Sequence, residues 1–130
     1  MRKSTKNWLL SSDYDLETAF HLLKTGRYIY VIFMCHLATE KLLKAVVSEI
    51  QTKEPPRTHN LLYLTRLGEI QIPIKHQTII KYLNTVSVPT RYPSDIKKLS
   101  KEFNRQLANK YFDLTKDFLK WLKTHPKLKK

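Results

Sequence analysis

Proline positions constrain this chain more than any other feature of its sequence. Proline interrupts helix interiors because it lacks a backbone N–H and its ring clashes with the preceding turn. The first 54 residues contain none, and the proline-free segments that follow carry apolar residues at helical spacing. The prolines are Pro55, Pro56, Pro73, Pro89, Pro93 and Pro126. Since no alternating strand pattern is sustained, the sequence predicts an all-α fold.

Two helices are predicted within the first proline-free segment. Apolar residues recur at i, i+3, i+4 and i+7 from Leu16 to Leu23, and Gly26 supplies a stop for this helix. The second helix runs from about Arg27 to Gln51 and is apolar on several faces. This pattern is typical of a helix that lies at the centre of a bundle or is shared with a second subunit.

In the middle of the chain, the sequence predicts two shorter helices and a loop. Thr58 is a natural N-cap for a helix that ends at Gly68. A fourth helix spans about residues 75–86. Residues 87–95, with the sequence SVPTRYPSD, are predicted to form a loop.

The last predicted helix begins after Ser94 or Asp95, either of which can cap it. Its apolar stripe runs from Leu107 to Leu122 at spacings of three and four. The basic end of the chain, residues 124–130, is expected to be a solvated tail. We therefore predict a single domain over residues 1–130, folded as an up-and-down bundle of four to five helices.

Composition excludes several classes of functional site. The chain has only two glycines and one cysteine, which rules out a glycine-rich phosphate loop, a disulfide framework and a cysteine-based metal site. Cys35 lies among apolar residues, so we expect a core thiol and not a nucleophile. The five histidines lack the spacing of metal ligands. We expect neither a metal nor a cofactor.

Charge and hydropathy bear on partners and location. The net charge of +13 comes from 24 Lys and Arg against 11 Asp and Glu. It favours a polyanionic or acidic partner, although a solvated helix face also accounts for the basic residues after position 96. No signal-peptide pattern is found, and no apolar run approaches the ~20 residues that cross a bilayer. We therefore expect a cytoplasmic protein without membrane contact.

A line of polar residues runs along one face of the second predicted helix. His36, Glu40 and Lys44 stand four residues apart, so imidazole, carboxylate and ammonium can bond in sequence. Leaving such groups buried and unpaired costs about 1–3 kcal/mol each. Two interpretations stay open, a partly exposed ladder of ion pairs or a polar seam that faces a groove or a dimer partner.

The same run is similar to the signature of the HEPN (higher eukaryotes and prokaryotes nucleotide-binding) domain family. In that family a helix with a His-x-x-x-Glu-Lys pattern follows a G-x-Y turn, as in TGRYIYVIFMCHLATEKLLKA here. Trp8, DLETA, PRTHNLLYL and TRYP match further family features in the same order. The resemblance implies a helical bundle that is commonly a homodimer. It also implies nucleotide binding, RNA binding or RNA cleavage, often beside a minimal nucleotidyltransferase.

Catalytic members of that family resemble one another in an Arg-x(4–6)-His motif. Its histidine can move the proton of an RNA 2′-hydroxyl while its arginine stabilises the charged phosphate. Arg91 stands at the expected place, but the sequence from position 96 to 98 is IKK. The motif histidine is absent, which argues against an enzyme and leaves Arg91 as the one candidate catalytic residue.

Three residues around this motif remain candidates for binding. The guanidinium fork of Arg91 suits a phosphate or a carboxylate. Tyr92 can stack on a base, although as a loop aromatic it is expected to pack on the bundle. His59 is expected to pack or hydrogen-bond across its loop.

Three functions stay open on the sequence alone. The first is a non-enzymatic module that dimerises and binds a nucleotide, RNA or a nucleotidyltransferase, as in two-gene, toxin-antitoxin-like systems. The second is a diverged, metal-independent ribonuclease that uses Arg91. The third is a structural dimer that docks an acidic partner. The residues assigned to nucleotide, RNA or partner binding are His36, Glu40, Lys41, Lys44, His59, Arg91 and Tyr92.

Overall fold

Residues 1–129 are described by the computed structural model, and Lys130 lies outside them. Over this range the chain forms six α-helices and one short 3₁₀ turn, with no β-strand. The helices are α1 (Lys3–Thr25), α2 (Tyr28–Gln51), α3 (Leu61–Leu67), α4 (Ile74–Arg91), α5 (Ile96–Glu102) and α6 (Arg105–Leu122), and the turn is Pro126–Leu128. The all-α helical bundle is confirmed, with one helix more than predicted. None of these helices is long and apolar enough to cross a membrane.

Helices α1 and α2 form an antiparallel pair. Gly26 ends α1 in the left-handed region, at φ 80°, where glycine has no side chain to clash, and its N–H donates to the Leu22 carbonyl. Ser12 lies inside this interface and donates a hydrogen bond of 2.7 Å to the Ala38 carbonyl of α2. The predicted stop at Gly26 is confirmed.

Helix α2 is the central element of the bundle. Its buried residues extend from Ile29 to Ser48 and occur on several faces, and every other helix, together with the 3₁₀ turn, contacts it. Cys35 is fully buried there, and burial raises the pKa of its thiol to about 12. The helix takes the central position because it has apolar residues on several faces, and each face packs against a different helix.

Helices α4 and α6 also run antiparallel. The Tyr82 and Tyr111 rings stack with their centroids 3.7 Å apart near the middle of the pair. Because the helices run in opposite directions, the first turn of α4 lies beside the last turns of α6. The opposite end of α4 reaches α2.

The structure corrects two predicted boundaries in the middle of the chain. The N-cap of α3 is Asn60, whose side chain accepts from the Tyr63 N–H, while the Thr58 hydroxyl accepts from the Asn60 N–H within the loop. Helix α4 does not end near residue 86 but continues through Pro89 to Arg91. Pro89 removes only its own N–H from the hydrogen-bond ladder, and the final turn still closes, with the Tyr92 N–H donating to the Val88 carbonyl.

Two corrections also apply to the last quarter of the chain. The single helix predicted there is divided, because Phe103 turns into the core and the Asn104 side chain caps a new helix by accepting from Leu107 N–H. Asp95, one of the two predicted caps, accepts from Lys98 N–H at the start of α5. The tail is not fully solvated, because Leu128 is only 8% exposed and packs in the core.

Candidate functional site

A buried cluster of charged side chains forms around Glu40, near the middle of α2. Lys44 donates to Oε2 at 2.9 Å, and Arg91, from the last turn of α4, donates to Oε1 at 3.3 Å. The same Oε1 lies 2.7 Å from His59 Nδ1, which comes from the loop before α3. Separate parts of the fold thus supply the partners of one carboxylate.

His36 completes this cluster and uses both ring nitrogens. Its Nε2 lies 3.0 Å from the His59 carbonyl, which can only accept, so Nε2 carries the proton. Nδ1 then accepts from Arg91 Nη2 at 3.2 Å. Burial lowers the pKa of His36 to about 4, and the Arg91 charge acts in the same direction against the opposing effect of Glu40. His36 is therefore a neutral structural group, unsuited to proton relay at neutral pH.

The burial of this cluster contradicts one interpretation of the polar line. The side chains of Glu40 and Lys44 are only 5% and 8% exposed, and His36 is fully buried, so a partly exposed ladder is wrong. The line is also not a simple relay, since Arg91 Nη2 bridges His36 and Glu40. Lys44 in addition lies over the Trp8 ring, 5.3 Å from its centroid.

The outer edge of the cluster is formed by Arg91 and His59. Arg91 is held on its inner side through Nη2, and its guanidinium lies over the Phe33 ring, 5.0 Å from the centroid. Its Nε is buried without a partner, whereas Nη1 is neither enclosed nor hydrogen-bonded within residues 1–129. The His59 side chain beside it is 57% exposed. We call Arg91 and His59, together with the exposed Tyr92 that follows Arg91 in the sequence, the Arg91 mouth.

Two predicted site residues lie elsewhere than expected. Tyr92 is 74% exposed, so the expectation that it packs on the bundle is wrong; it follows the last turn of α4, which directs Arg91 inward. Lys41 does not join the cluster, because its ammonium pairs with Asp15 of α1 at 2.7 Å. The sequence-predicted residues that the structure brings together are therefore His36, Glu40, Lys44, His59 and Arg91.

The charges of the cluster do not balance. Glu40 is its single carboxylate, while Lys44 and Arg91 are two cations with side chains only 8% and 12% exposed. A buried charge without a counter-ion is costly, so the cluster is receptive to one further negative charge. Arg91 Nη1 and the exposed side of His59 are the polar groups that such an anion can reach.

Comparison with known proteins identifies the family and agrees with the helical fold. Residues 5–125 match the model of the HEPN domain. The chain belongs to the HEPN family. The crystal structure of TT1696 from Thermus thermophilus is 22% identical, with a TM-score of 0.77 over 94% of this chain and 98% of that one. An archaeal HEPN homologue, ST0689, is 20% identical, with a TM-score of 0.74 over 95% and 97% of the two chains. No curated protein matches.

The family's ribonuclease motif is incomplete in this HEPN domain. Arg91 is present, but the positions where the histidine is expected hold Ile96, Lys97 and Lys98, all exposed in the first turn of α5. The exposed histidine beside Arg91 is His59 instead. Within residues 1–129 no group of three or more acidic, histidine or cysteine side chains could hold a metal ion.

Sequence reasoning missed the role of Phe33 in this HEPN domain. Its ring supports the guanidinium of Arg91, which lies 58 positions later in the sequence. One signal was available, because Phe33 precedes His36 by three residues and so shares its helix face. The pairing of that face with Arg91 was not visible in the sequence.

Proposed function

We propose that this HEPN domain binds a phosphate group of a nucleotide or of RNA at the Arg91 mouth. The observation that supports the proposal is that the two terminal nitrogens of the Arg91 guanidinium have different surroundings. Nη2 is fixed by Glu40 and His36, while Nη1 has no partner among the described residues. An arginine anchored on one side is preorganised, so binding an oxyanion on the other side costs little conformational entropy.

The surroundings of the mouth favour a nucleotide or RNA over an isolated anion. Tyr92 is 74% exposed next to Arg91, and an exposed aromatic ring can stack on a base. Lys97, Lys98 and Lys101 are exposed on the adjacent α5 and can contact further phosphates. A bound phosphate would also offset the excess positive charge of the cluster.

A second copy of the chain is the proposed partner at this end of the molecule. Family membership favours a homodimer, and four large apolar side chains are exposed on α5 and beside it. They are Tyr30 at 45%, Val88 at 64%, Tyr92 at 74% and Ile96 at 51%. Two Arg91 mouths would then share one cleft. Sedimentation equilibrium should show a dimer, and Val88→Glu should shift it toward monomer.

A minimal nucleotidyltransferase remains the proposed protein partner, as in a two-gene, toxin-antitoxin-like system. Its support is family membership alone. The competing role, a structural dimer that docks an acidic partner, makes a different prediction for RNA. In that case RNA binding would be non-specific, would fall steeply with salt, and would not depend on Arg91.

The binding proposal is tested with Arg91→Lys. Lysine keeps a positive charge beside Glu40 but has no second nitrogen to direct outward. We expect about a tenfold or larger loss of affinity for ATP or a short single-stranded RNA, with a small change in Tm. Fluorescence anisotropy and calorimetry measure the binding. Unchanged affinity would refute the proposal.

The tyrosines supply a matched control for the stacking role. Tyr92 and Tyr14 are both 74% exposed, but Tyr14 lies on α1. Tyr92→Ala should weaken binding while Tyr14→Ala leaves it unchanged. Equal effects of the two substitutions would show that Tyr92 does not contact the ligand.

Ribonuclease activity is the second candidate function, and one contact favours it. Glu40 Oε1 lies 2.7 Å from His59 Nδ1, which orients a half-exposed imidazole beside Arg91. His59 Nε2 would take the proton of the 2′-hydroxyl, the 2′-oxygen would attack phosphorus to form a cyclic phosphate, and the 5′-oxygen would leave and take a proton from water. Arg91 Nη1 would stabilise the phosphorane charge.

Cleavage of RNA in the presence of EDTA tests this second function. The protein should give discrete products, and both His59→Gln and Arg91→Lys should abolish them. Cleavage that survives both substitutions would come from a contaminant. RNA binding without cleavage would exclude the ribonuclease and support only the first function, phosphate binding at the Arg91 mouth.

A further inference from the structure

A second cleft lies at the other end of α4, between its first turn and the end of α6. Its volume is about 390 Å³. The side chains that matter for its chemistry are Lys75, His76, Asp117, Lys120 and Trp121. It is separate from the Arg91 mouth, because the 15 residues from His76 to Arg91 correspond to ~22 Å of helix at 1.5 Å per residue.

His76 is the unusual residue of this cleft. It is only 4% exposed, and its ring packs against Phe118 and Trp121 with centroid distances of 5.5 and 5.6 Å. Neither ring nitrogen has a hydrogen-bond partner within residues 1–129, and neither is enclosed by the protein, so the nitrogens are accessible from the cleft that His76 lines. Burial, followed by the charge of Lys75, lowers the pKa of His76. The neutral ring therefore retains one N–H that is free to donate into the cleft.

The first turn of α4 adds two unused donors, the N–H groups of Ile74 and Lys75, because the His76 backbone N–H already donates to the Pro73 carbonyl at 2.9 Å. Its N-cap is Pro73, which offers no side-chain acceptor, and the turn contains no acidic residue. The first N–H groups of a helix lack internal acceptors, and the helix dipole makes that end positive. Helices α3, α5 and α6 differ, because each begins with an Asn or Asp side chain that accepts an N–H of the first turn.

The charged side chains of the cleft also favour an anion. Lys75 and Lys120 are exposed at its edge, and Asp117 is the single carboxylate in its lining. None of these three has an ion-pair partner within the described residues. The net charge of the lining is therefore positive next to an uncapped helix start.

We propose that this cleft binds a phosphate group. The backbone N–H groups of Ile74 and Lys75 and the ring N–H of His76 donate to its oxygens, and Lys75 and Lys120 supply the balancing charge. Trp121 offers an indole face beside the phosphate, so the phosphate of a nucleotide suits the cleft as well as the free ion. This site is independent of the function proposed for the Arg91 mouth.

Titration of the ¹⁵N-labelled chain by NMR tests the proposal at low ionic strength. Inorganic phosphate and AMP are the two probes. We expect saturable shifts of the amides of Ile74, Lys75 and His76 with both. Tighter binding of AMP, together with a shift of the Trp121 indole N–H, would identify a nucleotide site, and equal affinities would identify a site for the free ion.

Two substitutions distinguish a specific site from general attraction to a basic surface. Lys120→Gln should weaken binding about fivefold to tenfold, whereas Lys116→Gln, one turn earlier on α6 and outside the cleft, should have no effect. His76→Phe keeps a ring between Phe118 and Trp121 but removes the donor, so it should also weaken binding. Arg91→Lys should leave these shifts unchanged.

Specific outcomes would overturn the proposal. The absence of saturable shifts at the start of α4 is one. Equal losses in Lys120→Gln and Lys116→Gln are another, since they would show non-specific screening. Because both lysines are on the surface, these results do not depend on whether His76→Phe folds.

Discussion

The two ends of α4 each involve a buried histidine, and their hydrogen bonding differs completely. At the C-terminal end, His36 uses both ring nitrogens, one toward Arg91 and one toward the His59 carbonyl. At the N-terminal end, His76 has neither nitrogen paired within residues 1–129. A buried imidazole with two partners fixes the structure around it. A buried imidazole with none is available to a ligand.

The helix dipole accounts for part of this difference. Arg91 lies in the last turn of α4, where a cation is favoured, and it also pairs with Glu40. Lys75 lies in the first turn, where a cation is disfavoured and no acidic residue is present. A carboxylate of the protein thus pairs with the cation at the C-terminal end, although Lys44 shares it, whereas no carboxylate pairs with Lys75 among the described residues at the N-terminal end.

The largest effect expected at the C-terminal end comes from Glu40→Gln. The substitution leaves Lys44 and Arg91 buried without a carboxylate, which costs about 3–5 kcal/mol of the free energy of unfolding. Urea denaturation at pH 7 measures it. A loss below about 1 kcal/mol would show that water already stabilises these cations, and that the cluster is not closed.

Glu17→Gln is the matched control for that experiment. Glu17 also pairs with a residue four positions later, His21, but the two side chains are 74% and 66% exposed. The substitution should change the stability by no more than about 0.5 kcal/mol. The contrast isolates burial, because both pairs share the same helical spacing.

The sequence predicted much of the fold and only part of the cluster. The spacing of His36, Glu40 and Lys44 placed them together on α2, and the apolar faces of that helix placed it at the centre. Their burial depends on partners far away in the chain, since the Arg91–His36 and His59–His36 contacts span 55 and 23 residues. Helical periodicity contains no information on such contacts.

Arg91 shows why local rules failed at one important place. Pro89 and Pro93 on either side predicted a loop, because proline disfavours helix. In the structure α4 continues for two residues beyond Pro89, and this last turn directs Arg91 inward while Tyr92 remains exposed. The contacts of Arg91 with Glu40 and His36 stabilise that turn, and they cannot be seen in the sequence of α4.

A pH dependence of intermediate size is expected from His36. Its pKa in the folded protein is about 4 against 6.5 for the free side chain, so the unfolded state binds an extra proton between these values. Stability from His36 is therefore fully present above pH 6.5 and is lost as the pH falls toward 4. The loss is on the order of 3 kcal/mol.

Urea denaturation of the wild type and His36→Gln at several pH values measures this loss. The stability advantage of the wild type should shrink as the pH falls from 6.5 to 4. The pKa of His76 is also lowered, and in the same direction, so His76→Phe should show a weaker trend of the same sign. A constant difference between wild type and His36→Gln would mean that His36 is not held neutral.

The smallest effect is expected at the N-terminal end, from a pair of substitutions at Pro73. Pro73→Ser and Pro73→Asp both remove the proline and both introduce a side chain that can cap α4. Ser and Asp are N-caps of similar preference, so their difference in stability reports chiefly the local potential acting on the added charge. With Lys75, Lys120 and the helix start nearby, the Asp variant should be more stable by about 0.3–1 kcal/mol at low salt.

Phosphate should reduce this difference, because it stabilises the Ser variant at the same site while the Asp carboxylate repels it. Thermal unfolding with and without inorganic phosphate, at matched ionic strength, measures both effects. If the Ser variant were equally or more stable at low salt, Asp117 would already neutralise this end of α4. The contrast between the two ends of the helix would then lie in hydrogen bonding alone, and charge would have no part in it.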